Sequence, residues 1–384
     1  MGYPHLKRDA DTIVVGAGIV GAACAHALAA AGQSVLVLDD RRGGATAAGM
    51  GHLVVMDDNP AELALSVTSL RMWKQWQTLL PQACAWHGCG TLWLASDDSE
   101  IQTAIDKQAR LHEAGVPSEL LSAADLRTRE PALRTGLAGG LKVAGDAAVY
   151  APNVVNWLME AGDPATRIRF RQATVSALEA PSVRLSDGTV LNAQAVVLAN
   201  GVHAARLCPD LPIRAKKGQL AITDRYPGLV HHQLVELGYV NSAHHATGAS
   251  VAFNVQPRPT GQLLIGSSRE FDDTSNHVNV DLMARMLRRA MDYLPGLTDC
   301  NATRLWTGLR AATPDSLPIL GPHPSHAGLW LAVGHEGLGV TTAPASAHIV
   351  TALMTGAACD IEPTPYLAQR FAQPYTRHDT HDHT

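Results

Sequence analysis

The 384-residue chain has no excess of positive charge: 30 Lys and Arg stand against 35 Asp and Glu, a formal net charge of −5. A surface without a basic bias offers no electrostatic footprint for nucleic acid or an anionic membrane. Cysteine is sparse. The six thiols, at 24, 84, 89, 208, 300 and 359, form no dense framework, which argues against a disulfide-stapled scaffold and fits a cytosolic chain with reduced thiols. Cys84 and Cys89 make CAWHGC half of a metal site, but no second Cys or His pair at ligand spacing accompanies it, so no metal is expected. Iron–sulfur motifs and internal repeats are also missing.

Long uninterrupted apolar runs are lacking too. The stretch TIVVGAGIVGAACAHALAAAG, 12–32, comes nearest. Three glycines in a fixed pattern and His26 break it, and Asp9 and Asp11 precede it where a signal peptide needs positive charge. A soluble, cytoplasmic protein without a direct membrane span is expected.

What is present is an apolar content of 46%, enough for globular cores, and a length that supports two domains. DTIVV reads as a buried strand, VGAACAHALAAAG as a helix of small residues and SVLVLDD as a second strand, so the chain opens with a β-α-β unit. Helices are expected over 59–85 and 98–115, with a polar connector over 122–134. Short strands around SDGT fill 167–201, and 213–271 alternates like sheet. A charged helix, Val280 to Tyr293, stops at Pro295 and Gly296. GLWLAVG, a glycine loop and TTAPASAHIVTALMTG then return to strand-turn-helix, before a polar tail over 371–384.

Gly16, Gly18 and Gly21 form G-x-G-x-x-G between the first strand and helix. The first glycine permits a tight turn, the second lets backbone approach a pyrophosphate, and the third lets the helix close on the sheet. The helix N-terminus offers N–H groups to phosphate. Asp39 ends the second strand at the spacing of a ribose-binding carboxylate. An NAD domain continues β-α-β-α-β in one block. Here RRGGATAAGMGHL follows, and AVVLANG and LAVGHEGLGVTTAP come far downstream. Separated Gly/Ala segments converging on one nucleotide suit the longer FAD.

Together, AAGM (47–50), DAAVYAPN (146–153), VVLANG (196–201), KGQL (217–220), GQLLIGSS (261–268), GLRAATPD (308–315) and GHEGLG (334–339) carry a resemblance to the D-amino acid oxidase/glycine oxidase superfamily of flavoenzymes. It covers nearly the whole chain. Within that superfamily the chain is most similar to catalytic subunits of opine oxidase and D-hydroxyproline dehydrogenase, with hydrogen cyanide synthase nearby. The resemblance implies an α/β fold, α+β overall: a Rossmann-like FAD-binding domain from 1–82, 145–212 and 303–370, and an antiparallel-sheet substrate domain from 83–144 and 213–302.

It also implies roles. Asp39 would hold the adenosine ribose, with Asp40 and Arg41 beside it. Thr46, Ala47, Ala48, Gly49 and Met50 would pass beside the flavin ring. Val175 would meet adenine through its backbone, and Gly201 would close a loop near the pyrophosphate. Gly334, His335, Gly337, Leu338, Gly339, Val340 and Thr341 would turn N–H groups towards the flavin pyrimidine. Some sarcosine oxidases attach flavin through a cysteine near the position of Gly308; glycine cannot, so FAD is expected to be noncovalent there. Glycine oxidase has a second arginine close to where Gly337 stands, and its absence weakens the case for a free small amino acid.

Arg310 matches the arginine that pairs with the substrate carboxylate, and a guanidinium can do so through two parallel N–H···O bonds. The alternative is a structural salt bridge, with Asp315 a candidate partner. Tyr239 either offers a hydroxyl to the same carboxylate or belongs to the core. His52 either lies over the flavin or is a core histidine. Glu336 either holds a substrate ammonium or, the preferred reading, faces solvent. His231–His232 and His244–His245 read as surface pairs, and Lys216–Lys217 as a solvated strand end.

The resulting expectation is an FAD-dependent amine dehydrogenase or oxidase for a small amino or imino acid, D-hydroxyproline or a related secondary amine being the most specific candidate. Arg310 would place the α C–H for hydride transfer to flavin N5, with no catalytic base nominated. The resemblance implies partner subunits carrying an electron relay, with any attachment to the inner membrane made only through them. A free-standing oxidase using dioxygen remains an alternative, as does a subunit that only carries flavin; Arg310 and AAGM argue against the last.

Overall fold

The computed structural model describes residues 8–238, 248–271 and 273–371. Its first element, Thr12–Val15, is apolar enough to be buried on both faces and lies inside a six-stranded sheet. That sheet runs, in order, Ile319–Pro322, Leu329–Val333, Ala195–Leu198, Thr12–Val15, Val35–Asp39 and Ile168–Gln172. All neighbours are parallel except the first two. Helix Ile19–Ala30 buries its small residues against helix Gly339–Thr355, whose own buried face is also largely alanine. Small side chains let the two backbones approach closely.

The second sheet has eight strands, in the order Ala302–Ala312, Arg214–Arg225, Gln262–Phe271, Ser250–Pro257, Gln233–Glu236, Thr91–Ala95, Gly139–Val143 and Glu119–Ser122. Only Gln233–Glu236 and Thr91–Ala95 are a parallel pair. Helix Val280–Tyr293 occupies the expected residues, capped by Asn279, whose side chain accepts from the Leu282 N–H. It packs on the sheet through Leu282, Met283, Met286 and Ala290. Strand Ala302–Ala312, which carries Arg310, is hydrogen-bonded into this sheet although the expected division assigned 303–370 to the nucleotide domain.

Several expectations are corrected. The helix of 59–85 ends at Gln77, and a short 3-10 turn, Gln82–Cys84, follows. The polar connector contains helix Ala123–Arg129, started by a reciprocal Ser122–Asp125 capping box that is legible in the sequence. His231 and His232 are no isolated surface pair: both backbone N–H groups donate to the fully buried Glu130 carboxylate, and the His232 ring contacts it at 2.6 Å. Lys216 and Lys217 are buried, at 7% and 1% exposure, and each is ion-paired, to Glu336 and Asp273 respectively. Tyr239, His244, His245 and 372–384 lie outside the described residues. Among the described residues, no helix is long and apolar enough to cross a membrane.

Candidate active site

The nucleotide loop is shaped by backbone crowding. Gly16 has φ +106°, and a Cβ there would lie 2.6 Å from the Ala199 carbonyl oxygen. A Cβ on Gly21 would stand 1.9 Å from the Gly16 oxygen. Gly18 differs: its Cβ would meet only Thr46 Oγ1, at 3.2 Å, so the helix N-terminus stays open to a ligand. No side chain caps that helix through Gly18, although Thr46 Oγ1 accepts from the Ile19 N–H at 3.0 Å. Asp39 accepts from the N–H groups of Ala17 (2.8 Å) and Arg41 (2.6 Å), which holds its carboxylate beside the turn. Arg41 itself is exposed, with left-handed φ of +58° and its guanidinium over Phe170, while Asp40 pairs with Arg42.

Other placements are consistent with a long ligand. Space is open where a Cβ would stand at Gly43, Gly44 and Gly201, and the neighbouring Asn200 Oδ1 is buried without a partner. The Ala173 N–H donates to the Asp39 carbonyl, so the strand beginning at Val175 starts beside Asp39. An adenosine diphosphate needs such an open glycine turn, a helix N-terminus and a fixed carboxylate, and these residues fit FAD.

The loop at 334–341 divides its roles. Gly334 has φ +77°, and a Cβ there would press Thr313 Cγ2 at 2.5 Å. The His335 ring turns inward to Ser346 Oγ at 2.9 Å, and burial lowers its pKa to about 3, so it is neutral. Thr341 also faces inward, donating to the His52 carbonyl and accepting from the Val54 N–H. Leu338 and Val340 pack against the core, and Gly339 lies beside His335 and Val20. Only backbone of His335 and Thr341 is thus available to a cofactor. Helix Gly339–Thr355 begins without a side-chain cap, so its first N–H groups are free to do this.

Loop 45–50 lies over the second sheet. Trp306 Nε1 donates to the Ala48 carbonyl at 2.9 Å, and a Cβ on Gly308 would stand 2.5 Å from Ala48 Cβ. Gly266 approaches Met50 in the same way, its Cβ position lying 3.2 Å from Met50 Sδ. His52 follows on a two-residue strand paired with Ala147–Ala148. Burial, then the Arg258 charge, lower its pKa to about 4, and its Nε2 is buried without a partner. A neutral ring nitrogen there is available to a ligand.

Arg310 and Gly308 stand directly opposite Lys216 and Gly218 on the adjacent antiparallel strand, so all four share one sheet face. The Arg310 guanidinium folds back over Gly218, and its Nη1 donates to the Ser268 carbonyl at 3.1 Å. Asp315 is not its salt-bridge partner: that carboxylate takes two nitrogens of Arg370. Glu336 is the main correction. Its side chain is 15% exposed, paired with Lys216, and its N–H donates to the Ala311 carbonyl beside Arg310. Burial raises its pKa, but Lys216, then Arg310 and Arg269, outweigh that and hold the group below its usual value. Gly218 lies inside the KGQL stretch and Lys216 in a pair that reads as solvated, whereas Trp306 had no signal of its own in the sequence.

Among the described residues, two groups bring three potential metal-ligand atoms within 4.8 Å of one another: Cys208, Asp210 and His323, and His348, Cys359 and Asp360. Neither includes Cys84 or Cys89. In the first, Ser325 N–H donates to His323 Nδ1, which leaves a neutral ring its proton on Nε2, 3.0 Å from Asp210. That tautomer favours a histidine–carboxylate pair over ligation through Nε2.

The profile of the DAO family, FAD dependent oxidoreductase, matches residues 11–353. Glycine oxidase of Pseudomonas putida is 30% identical over 384 aligned residues, covering 93% of this chain and 97% of its own. Hydrogen cyanide synthase subunit HcnC of Pseudomonas aeruginosa is 25% identical, with 95% and 97% covered. The crystal structure of glycine oxidase from Geobacillus kaustophilus superimposes with a TM-score of 0.82 at 23% identity, covering 93% of this chain and 98% of that one.

Proposed function

From the premise that this chain belongs to the DAO family of FAD-dependent oxidoreductases and acts on carbon–nitrogen bonds, we propose that its substrate is a small imino acid, D-hydroxyproline or a related secondary amine. The observation that carries the reading is Arg310, on a strand whose one glycine, Gly308, lets loop 45–50 close over it. When bound, FAD supplies the acceptor for the hydride that leaves the α-carbon.

Arg310 binds the substrate carboxylate and fixes the orientation of the α-carbon. Gly218 leaves room for its guanidinium, and Gly308 leaves room for Ala48. Ala48 and Met50 close one wall and exclude water. The nucleotide is held by Gly16, Gly18, Gly21 and Asp39, with backbone of 334–341 towards the flavin, and without a covalent bond at Gly308. The nucleotide domain comprises 1–82, 145–212 and 313–370, and the substrate domain 83–144 and 213–312, whose sheet includes strand Ala302–Ala312, with the site between their sheets. His52 Nε2 faces the bound ligand.

The chain works as the catalytic subunit of a cytoplasmic or peripherally attached dehydrogenase, passing electrons to a relay on partner chains. The similarity to HcnC, named as a subunit, supports this. The full-length likeness to glycine oxidase favours a second reading, a free-standing oxidase that uses dioxygen. Anaerobic flavin bleaching across D- and L-proline, hydroxyprolines, glycine, sarcosine and opines tests the substrate. Bleaching by glycine and not by any cyclic amine would overturn the imino-acid reading, and rapid peroxide formation by the isolated chain would overturn the dehydrogenase reading.

A further inference from the structure

Glu336 is placed at a cost that its structural contacts do not explain. It is a non-glycine residue with left-handed φ of +47°, and only 15% of its side chain is exposed. One carboxylate oxygen, Oε1, takes Lys216 Nζ, whereas Oε2 is buried and has no hydrogen-bond partner. A buried ion pair adds little stability over an apolar pair of the same shape, and an unpartnered charged oxygen makes it worse. The pair also has a definite position. Lys216 is directly opposite Arg310, and the Glu336 N–H is tied to the Ala311 carbonyl, so the carboxylate lies within the field of the Arg310 guanidinium.

We propose that Glu336 is the anchor for the substrate's nitrogen: Oε2 accepts from its N–H while Arg310 takes its carboxylate, and Lys216 is the positioning residue that holds Oε1. The inference rests on the amino- or imino-acid reading above. The two groups offer opposite charges to the two ends of a zwitterion, which a hydroxy acid or a cyclic ether of the same shape does not match. Glu336 is an acceptor and not a base: three cations keep it ionised, so it binds the amine without taking a proton from it. Side chains of 216 and 336 thereby set selectivity for nitrogen, a property distinct from carboxylate binding.

The test uses the FAD-loaded chain and two ligands: the cyclic imino acid that reduces it best, and tetrahydrofuran-2-carboxylate, which has oxygen in place of nitrogen. Binding is read from flavin absorbance, by anaerobic reductive titration for the first and spectral perturbation for the second. Glu336→Gln is expected to weaken the imino acid about 30-fold or more while leaving the ether within about threefold of wild type. Lys216→Met gives the same split, and Lys216→Arg restores discrimination. Should either single variant lose its flavin, Lys216→Met/Glu336→Gln, which removes both charges together, replaces it. Equal weakening of both ligands, or unchanged discrimination, overturns the proposal and leaves the functional reading standing. Wild-type flavin that no amino or imino acid reduces overturns both.

Discussion

Gly218 and the Arg310 guanidinium are in such close contact across adjacent strands that a Cβ at 218 would lie 2.6 Å from both Nη1 and Nη2. The glycine is the space into which the arginine folds, and its neighbour Gly308 provides the same clearance for Ala48. A two-glycine patch where the edge strand meets its neighbour weakens a sheet, and here it makes room for one charge and one loop.

Gly218→Ala is therefore expected to displace the guanidinium while leaving the nucleotide loop intact. Turnover efficiency on the best substrate should fall by about 100-fold, the order expected for a misplacement near 1 Å. Steady-state kinetics beside the flavin-to-protein absorbance ratio measure this; an unchanged efficiency would show that Arg310 has slack.

Arg310→Ala removes the carboxylate partner outright. Loss of one member of a buried charge pair raises the substrate requirement roughly 10²–10³-fold, with FAD content as in wild type. Equal loss of FAD would instead mark the arginine as structural.

Gly18→Ala and Gly21→Ala should fail in different ways. A Cβ at 21 collides with the Gly16 backbone, so this variant loses thermal stability even as apoprotein. A Cβ at 18 touches only the Thr46 hydroxyl, so the apoprotein melts normally but binds FAD more weakly. Apoprotein melting curves and FAD titrations separate the two.

Burial, then the Asp58 carboxylate, push Glu62 up to about 8, and burial raises Asp146 to about 7. Each binds its proton more tightly folded than unfolded. Their contribution to stability is complete below the ordinary carboxylate range and is lost as pH rises towards 8. Glu62→Gln should remove part of that loss: its melting temperature relative to wild type should increase between pH 5 and pH 8.5, by about 2 °C or more. A constant difference across that range would show that Glu62 ionises without penalty.

The nucleotide half was largely legible because its determinants are local. Gly16, Gly18 and Gly21 sit within one turn, and Asp39 follows at a fixed distance along one β-α-β unit. Helix Val280–Tyr293 was legible for the same reason: an amphipathic stripe, a cap at Asn279 and a stop at Pro295 lie within one short stretch. The helix within 122–134 was overlooked only because its seven residues are too few for periodicity to register, though its capping box was present.

The pairing of buried Lys216 with half-buried Glu336 could not be read in this way. A Lys-Lys pair at a strand start and a glutamate in a glycine loop each look solvated, because charge alone predicts exposure. Their meeting spans a separation of 120 positions along the chain: strand Arg214–Arg225 pairs with Ala302–Ala312, and the loop at 334–338 returns over Ala311. Asp315, five residues from Arg310, was the nearest anion in sequence but turns to Arg370. The sequence by itself determined the dinucleotide turn and the positive charge on the 302–312 strand, since backbone conformation and residue chemistry suffice for those. Only the tertiary structure decided which carboxylate stands beside that charge, because strand pairing, not proximity along the chain, brings buried partners together.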